Sequence, residues 1–228
     1  MAPTVRAFNV VGQEGNSPSS NTVTKPSGTA SGDLLVAVIA TDETNNTWLT
    51  YPSGFAEPAT NGKSTQTSTQ PKFQVATKVA GGSEPSSYAF PIPSFMANIV
   101  WLFAVQGVVG TPIVVPSVVA RSTTATSTAS DIPYATHGAT DPLVITAYAA
   151  ITEYTARTFT TPTGMSTAGG AINAAWMYGA AFSIALTGNV GSSARTSTIS
   201  AAEPNTALSL VIGSTPVAGP PKQLFRPF

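Results

Sequence analysis

Asp33-Leu34-Leu35-Val36-Ala37-Val38-Ile39-Ala40 and Asp141-Pro142-Leu143-Val144-Ile145-Thr146-Ala147-Tyr148 set the fold class of this chain. Each is an apolar run of strand length, opened by an aspartate and without the three-and-four spacing of an amphipathic helix. The second run echoes the first, and the echo continues beyond it. A polar stretch follows each run, then a Pro, a small residue, a Gly and a large apolar residue: Pro52-Ser53-Gly54-Phe55 and Pro162-Thr163-Gly164-Met165. Apolar strands come next, near residues 73–79 and 175–186, then Ser86-Ser87 and Ser192-Ser193, then a final strand. Self-similarity on this scale reads as two related halves. In the turns, Pro presets one backbone angle and Gly supplies a positive φ, so Phe55 and Met165 are expected to plug the end of a sandwich.

Outward from these runs, strand patterns recur near residues 5–11, 34–41, 73–79, 87–90, 98–106, 143–151, 158–161, 175–186, 195–200 and 207–212, and helix signals are nearly absent. This spacing predicts an all-β fold, a two-sheet antiparallel sandwich of jelly-roll-like character built from two pseudo-repeated halves. Residues 1–213 form the expected domain, with halves of about 1–115 and 116–213. The Ser/Thr/Ala-rich stretch 116–140 reads either as a long connection or as an irregular strand pair. Residues 34–40 and 97–105 are apolar on both faces instead of alternating, which requires cover on both sides, from the chain's own loops or from another subunit.

Residues 214–228 hold Pro216, Pro220, Pro221 and Pro227 and cannot form a central strand. They are expected to be an extended arm that lies on a neighbouring molecule, with Leu224, Phe225, Arg226 and Phe228 as its partner-binding residues.

Charged residues make up 9% of the 228, against about 25% in an ordinary soluble domain, and the net charge is zero. The surface must therefore be largely Ser, Thr, Asn and Gly, and copies repel one another little, which suits a subunit. Ten basic residues scattered singly argue against a nucleic-acid partner. The absence of cysteine excludes disulfides and thiolate chemistry. No export signal is expected at the N-terminus, where a charged stretch and apolar run are lacking. The most apolar run, 99–109, is broken by Gln106 and Gly107 and is too short for the roughly 20 residues of a membrane span.

Groups for catalysis are few. The single histidine, His137, lies near Asp131 and Asp141, but Gly164-Met165-Ser166-Thr167-Ala168 misses the nucleophile-elbow pattern, so a solvated loop histidine is the expected state. Asp42, Glu43 and Glu153 follow the two repeated strands and are expected at loop ends rather than as a hydrolytic pair. Asp42-Glu43-Thr44-Asn45-Asn46 is the sole run of hard oxygen ligands and lacks calcium-loop spacing. No catalytic residue, metal or cofactor is expected. Trp48, Tyr51 and Phe55 cluster in one connection, where they either cap the core or, as Trp48 and Tyr51, offer a candidate glycan contact. Trp101 and Trp176 read as core.

Ser31-Gly32-Asp33-Leu34-Leu35-Val36-Ala37, Pro52-Ser53-Gly54-Phe55, Glu84-Pro85-Ser86-Ser87-Tyr88 and the strand ending Val105-Gln106-Gly107-Val108 together resemble a recurring β-sandwich module of tailed-bacteriophage structural proteins, especially phages of actinobacteria. Thr161-Pro162-Thr163-Gly164-Met165 fits the module's second half, so the resemblance spans about residues 5–213. The module typically has Trp where this chain has Phe55, which alters the plug and not the fold. The resemblance implies a virion structural protein, a minor tail or head-decoration component, with no catalytic residues to carry over. Its expected partners are other virion proteins and further copies of itself in a symmetric oligomer. The alternative is a carbohydrate-binding or host-adhesion module of a virion.

Overall fold

The computed structural model describes residues 2–14, 20–42, 50–58, 71–92, 96–152, 155–173 and 176–214, with the backbone alone given for 118–122 and 170–173. The fold is all-β, in two packed antiparallel main sheets. The first half supplies β1 (Thr4–Gln13), β2 (Ser20–Thr24), β3 (Leu34–Thr41), β4 (Lys72–Val79), β5 (Ser87–Pro91) and β6 (Asn98–Gln106). The second supplies β7 (Pro112–Ser122), β8 (Thr126–Ala129), the single-turn α1 (Tyr134–His137), β9 (Leu143–Ile151), β10 (Ser166–Asn173), β11 (Met177–Ala185), β12 (Arg195–Thr198) and β13 (Asn205–Ser214).

The repeat is visible in the strand order. One main sheet runs β1-β6-β3-β4 and the other, from its far edge, β7-β13-β9-β11, with β10 added outside β11. Register matches residue by residue: Leu34 faces Val105 as Leu143 faces Ile212, and Leu34 faces Val79 as Leu143 faces Ala185. Each main sheet is drawn from one half of the chain, and the junction is residues 107–111, not 115–116.

Both runs that open the argument are buried throughout, because the molecule is four layers thick. Leu34, Val36, Val38, Trp101 and Phe103 face Ile145, Ala147, Leu208 and Leu210 across one core shared by both halves. Leu35, Ala37, Ile39 and Leu102, on the other face, are covered by the pair β2-β5 through Val23, Tyr88 and Phe90. Tyr148, Phe182 and Ala207 are likewise capped near the pair β8-β12, with Ala129 and Met165. The cover that sequence assigned either to loops or to another subunit comes from the chain itself.

The Pro–Gly turns form as expected but plug a different place. Phe55 N–H donates to Pro52 O at 3.0 Å and Met165 N–H to Pro162 O at 3.1 Å, with Gly54 at φ 85° and Gly164 at φ 77°. Phe55 packs edge-on to Tyr88 and Phe90 at 5.2 and 5.5 Å, inside the outer layer and not at the end of the central core. Met165 does the same in the second half, where Thr146 Oγ1 meets its sulfur at 3.4 Å.

Two strands, Ser20–Thr24 and Ser166–Asn173, are not expected from the sequence. The stretch 116–140, open between a connection and an irregular strand pair, contributes to β7 and holds β8, which pair with β13 and β12 rather than with each other. Ser20–Thr24 and Thr126–Ala129 are outer-layer strands with few apolar positions. Pro112–Ser122 contains Pro112 and Pro116, tolerated because β7 is an edge strand whose outer side needs no donor. Ser166–Asn173 is masked by two glycines. Residues 158–161 hold only an isolated bridge, Phe159 with Ile199, in place of the expected strand.

Size is divided unequally between the sheets. Trp101 fills the space over Gly179 and Gly169, where an added Cβ would lie 2.6 Å from Trp101 Cη2 and 2.6 Å from Trp101 Cδ1. By register, the second-half equivalent of Trp101 is Leu208 and the first-half equivalent of Gly179 is Phe73. Large side chains thus project from one sheet into a glycine- and alanine-lined floor on the other. Gly179→Ala is expected to cost about 1–3 kcal/mol in urea unfolding through overpacking against Trp101, and combining it with Trp101→Leu should give back part of that loss.

Candidate functional site

The two ends of the sandwich differ in what they carry. At one end the starts of β1 and β3 meet the starts of β7 and β9: Thr4 and Val5 line a cleft with Leu143 and Ser166, and Leu34 and Val79 line a groove with Pro112–Val115. Both outer ends of the described chain, Ala2 and Ser214, lie at this end, because Thr4 pairs with Gln106 and Ser214 with Pro112. Val109 N–H donates to Ser214 Oγ at 2.8 Å and ties the junction to the last strand.

The opposite end is sealed by polar residues in register: Gln13, Asn98, Thr41 and Lys72 sit across the four strands of the first sheet. Asn98, Thr41 and Lys72 are buried. Asn21 Nδ2 donates to Asn98 Oδ1 at 2.7 Å, and Asn98 Nδ2 donates to Met96 O at 3.2 Å. Asn205 occupies the equivalent place in the second sheet and also bonds the carbonyl two residues back, Glu203 O, at 2.9 Å. These asparagines satisfy backbone groups left over where β6 and β13 begin. They extend the repeat, and the sequence reading missed them because a single Asn in unlike surroundings gives no pattern.

His137 is buried, not the solvated loop residue expected. It ends α1, its Nδ1 accepts the Ala139 N–H at 3.0 Å, and Tyr134 meets its ring edge-on at 5.5 Å. Nε2 lies near the Val190 backbone without the geometry of a full hydrogen bond. Of the two aspartates near it in sequence, Asp141 accepts the Gly188 N–H at 2.5 Å and Asp131 is exposed, and among the described residues no carboxylate is hydrogen-bonded to the ring. Ser166 sits in the cleft beside β1, while His137 lines the groove beside β7, so the two are on opposite edges.

Asp42 follows β3 at the sealed end, whereas Glu43 and Glu153 fall outside the described residues. Among the described residues no three His, Asp or Glu side chains gather as a metal site would require. Glu84 is the most strongly held carboxylate. Burial alone would raise its pKa, but hydrogen bonds from Lys78 at 2.7 Å, Tyr88 at 2.5 Å and the Gly81 N–H at 2.7 Å, with the Lys78 charge, bring it down to about 2. Such a group clamps the Phe55 layer and has no free oxygen geometry for acid catalysis.

Tyr51 turns inward. It packs beside the Phe55 cluster, its hydroxyl oxygen is buried, and burial followed by the Glu57 charge pushes its phenol well above the usual range. The residue as a whole is half-buried, with its hydroxyl end turned to the protein. Trp48, Leu224, Phe225, Arg226 and Phe228 lie outside the described residues. Trp101 is fully buried, as expected of core, and Trp176 packs at the core's margin.

The groove between β4 and β7, about 510 Å³, was not legible in the sequence, since its walls come from residues 34, 54, 57–58, 77–79, 112–115 and 136–137. No protein-family model, curated protein or solved structure matches this chain.

Burial lowers the His137 pKa from 6.5, and the Val190 backbone offsets only part of the shift. Above that value the ring is neutral in folded and unfolded chains alike. Below it the unfolded chain takes up a proton that the fold resists, so stability falls with pH and levels off beneath the depressed folded value. With one histidine in the chain, His137→Gln should remove this part of the slope in urea midpoints measured from about pH 8 to about pH 5.

Proposed function

We propose that this chain is a structural protein of a bacteriophage virion, a head-decoration or minor tail component held to the particle by protein–protein contacts. The observation that carries the reading is the way the fold leaves its C-terminal segment. β13 delivers the chain to Ser214 at the end of the sandwich where Thr4 and Pro112 also lie, and the residues that follow in sequence include the apolar Leu224, Phe225 and Phe228. A proline-rich segment with apolar residues, following β13, is suited to a partner's surface.

The bacteriophage-module resemblance of residues 31–37, 52–55, 84–88 and 105–108 supports the same reading. So does a surface with 9% charged residues and no net charge, which allows dense packing of copies without repulsion. In this reading the domain attaches by the end at which Thr4 and Ser214 lie and presents the opposite end outward.

Truncation after Ser214 is expected to leave cooperative unfolding unchanged and to abolish incorporation into particles, measured by mass spectrometry of purified virions. Normal incorporation of the truncated chain would overturn the proposal.

A further inference from the structure

We propose that the groove between β4 and β7 receives the C-terminal segment of a second copy of this chain, with Leu224, Phe225 and Phe228 as apolar anchors. The inference rests on reading residues 215–228 as a contact arm and names what the arm contacts.

Val79 is the residue that points to an occupant. Paired with Leu34, it lies on the face of its sheet that looks toward the other main sheet, the same face as Leu34, Val36 and Phe73. Leu34 is 2% exposed and Val79 is 55% exposed. A core-facing valine left in water marks a place where the sandwich gapes. Across the gap Pro112, Ile113 and Val114 are only half-buried. At the opposite edge β10 packs against β1, and Phe8 and Val10 are drawn onto the core. The gape is thus a property of the β4–β7 side among the described residues.

The arm begins at the mouth of this groove, because Ser214 pairs with Pro112. The part of β7 that lines the groove, Pro112–Val115, spans on the order of 10 Å. The ten residues from 215 to Leu224 include Pro216, Pro220 and Pro221, and a proline-rich stretch of that length reaches roughly 30 Å. The anchors are carried past their own groove and into that of a neighbour. Reciprocal arms close a symmetric dimer or a ring. Lys222 precedes the anchors and Arg226 lies between Phe225 and Phe228; Glu57 lines the groove, and Lys78, which lines it too, is paired with Glu84.

Because the chain has no cysteine, introduced thiols report the contact cleanly. Full-length Val79→Cys and full-length Phe225→Cys, mixed and oxidised, are expected to give a covalent dimer holding one chain of each, identified by mass. In parallel, Val79→Asp should weaken self-association at least about tenfold in sedimentation velocity, as a charge placed against apolar anchors requires, with an unchanged unfolding midpoint because Val79 is exposed. Cross-linking confined to single chains of the Val79→Cys/Phe225→Cys double variant would assign the groove to the chain's own arm and overturn the proposal. Absence of any cross-link, the result if residues 59–70 fill the groove, would overturn it too. If truncation after Ser214 blocks incorporation while both groove measurements are negative, the virion reading survives and the groove assignment falls; the reverse pattern separates them the other way.

Discussion

Both main sheets are apolar on both faces, and every other feature follows from the need to cover them. A sheet built from Leu34–Thr41 and Asn98–Gln106 has no polar side to give to water. Two such sheets cover one face each by packing together, which leaves two outer faces. The chain covers those with β2-β5 and β8-β12, short polar-edged pairs that need only a few inward residues such as Val23, Phe90 and Ala129. Four layers result, and the outermost surface can be Ser- and Thr-rich with few charges because its contact with the core is narrow.

A repeated half does not pack on a copy of itself without adjustment. Equal volumes facing one another at Trp101 and Leu208 would collide or leave voids. The halves have instead diverged in size at equivalent positions, Phe73 against Gly179 and Trp101 against Leu208, so that the bulk of one sheet enters the floor of the other. The same divergence appears at the edges: the second half carries β10 beside β1, whereas the β4–β7 side leaves Val79 exposed. Near-symmetry supplies the scaffold, and departures from it make the core unique and leave the groove.

Strand existence was legible wherever apolar residues ran on without interruption. Leu34–Thr41, Asn98–Gln106 and Leu143–Ile151 are found where the sequence reading put them. It failed for Ser20–Thr24, which pairs through backbone groups that any residue possesses, and it left 116–140 open between a connection and a strand pair, because the prolines of Pro112–Ser122 read as breaks unless the strand is known to be an edge. His137 was misjudged because nothing in Tyr134–His137 announces that the turn is pressed against the β13 end, where a Cβ on Gly213 would lie 2.2 Å from Ala139 Cβ.

By itself the sequence determined the class of fold, the doubling of the chain, the positive-φ glycines at 54 and 164, and the poverty of charge, because each is carried by residues close together or by composition alone. Tertiary structure decided which faces are covered, where Phe55 and Met165 are lodged, that Tyr51 turns inward, and where the groove opens. These depend on which sheet lies against which and on the volumes that meet there, a matter of residues far apart in the chain that no local pattern records.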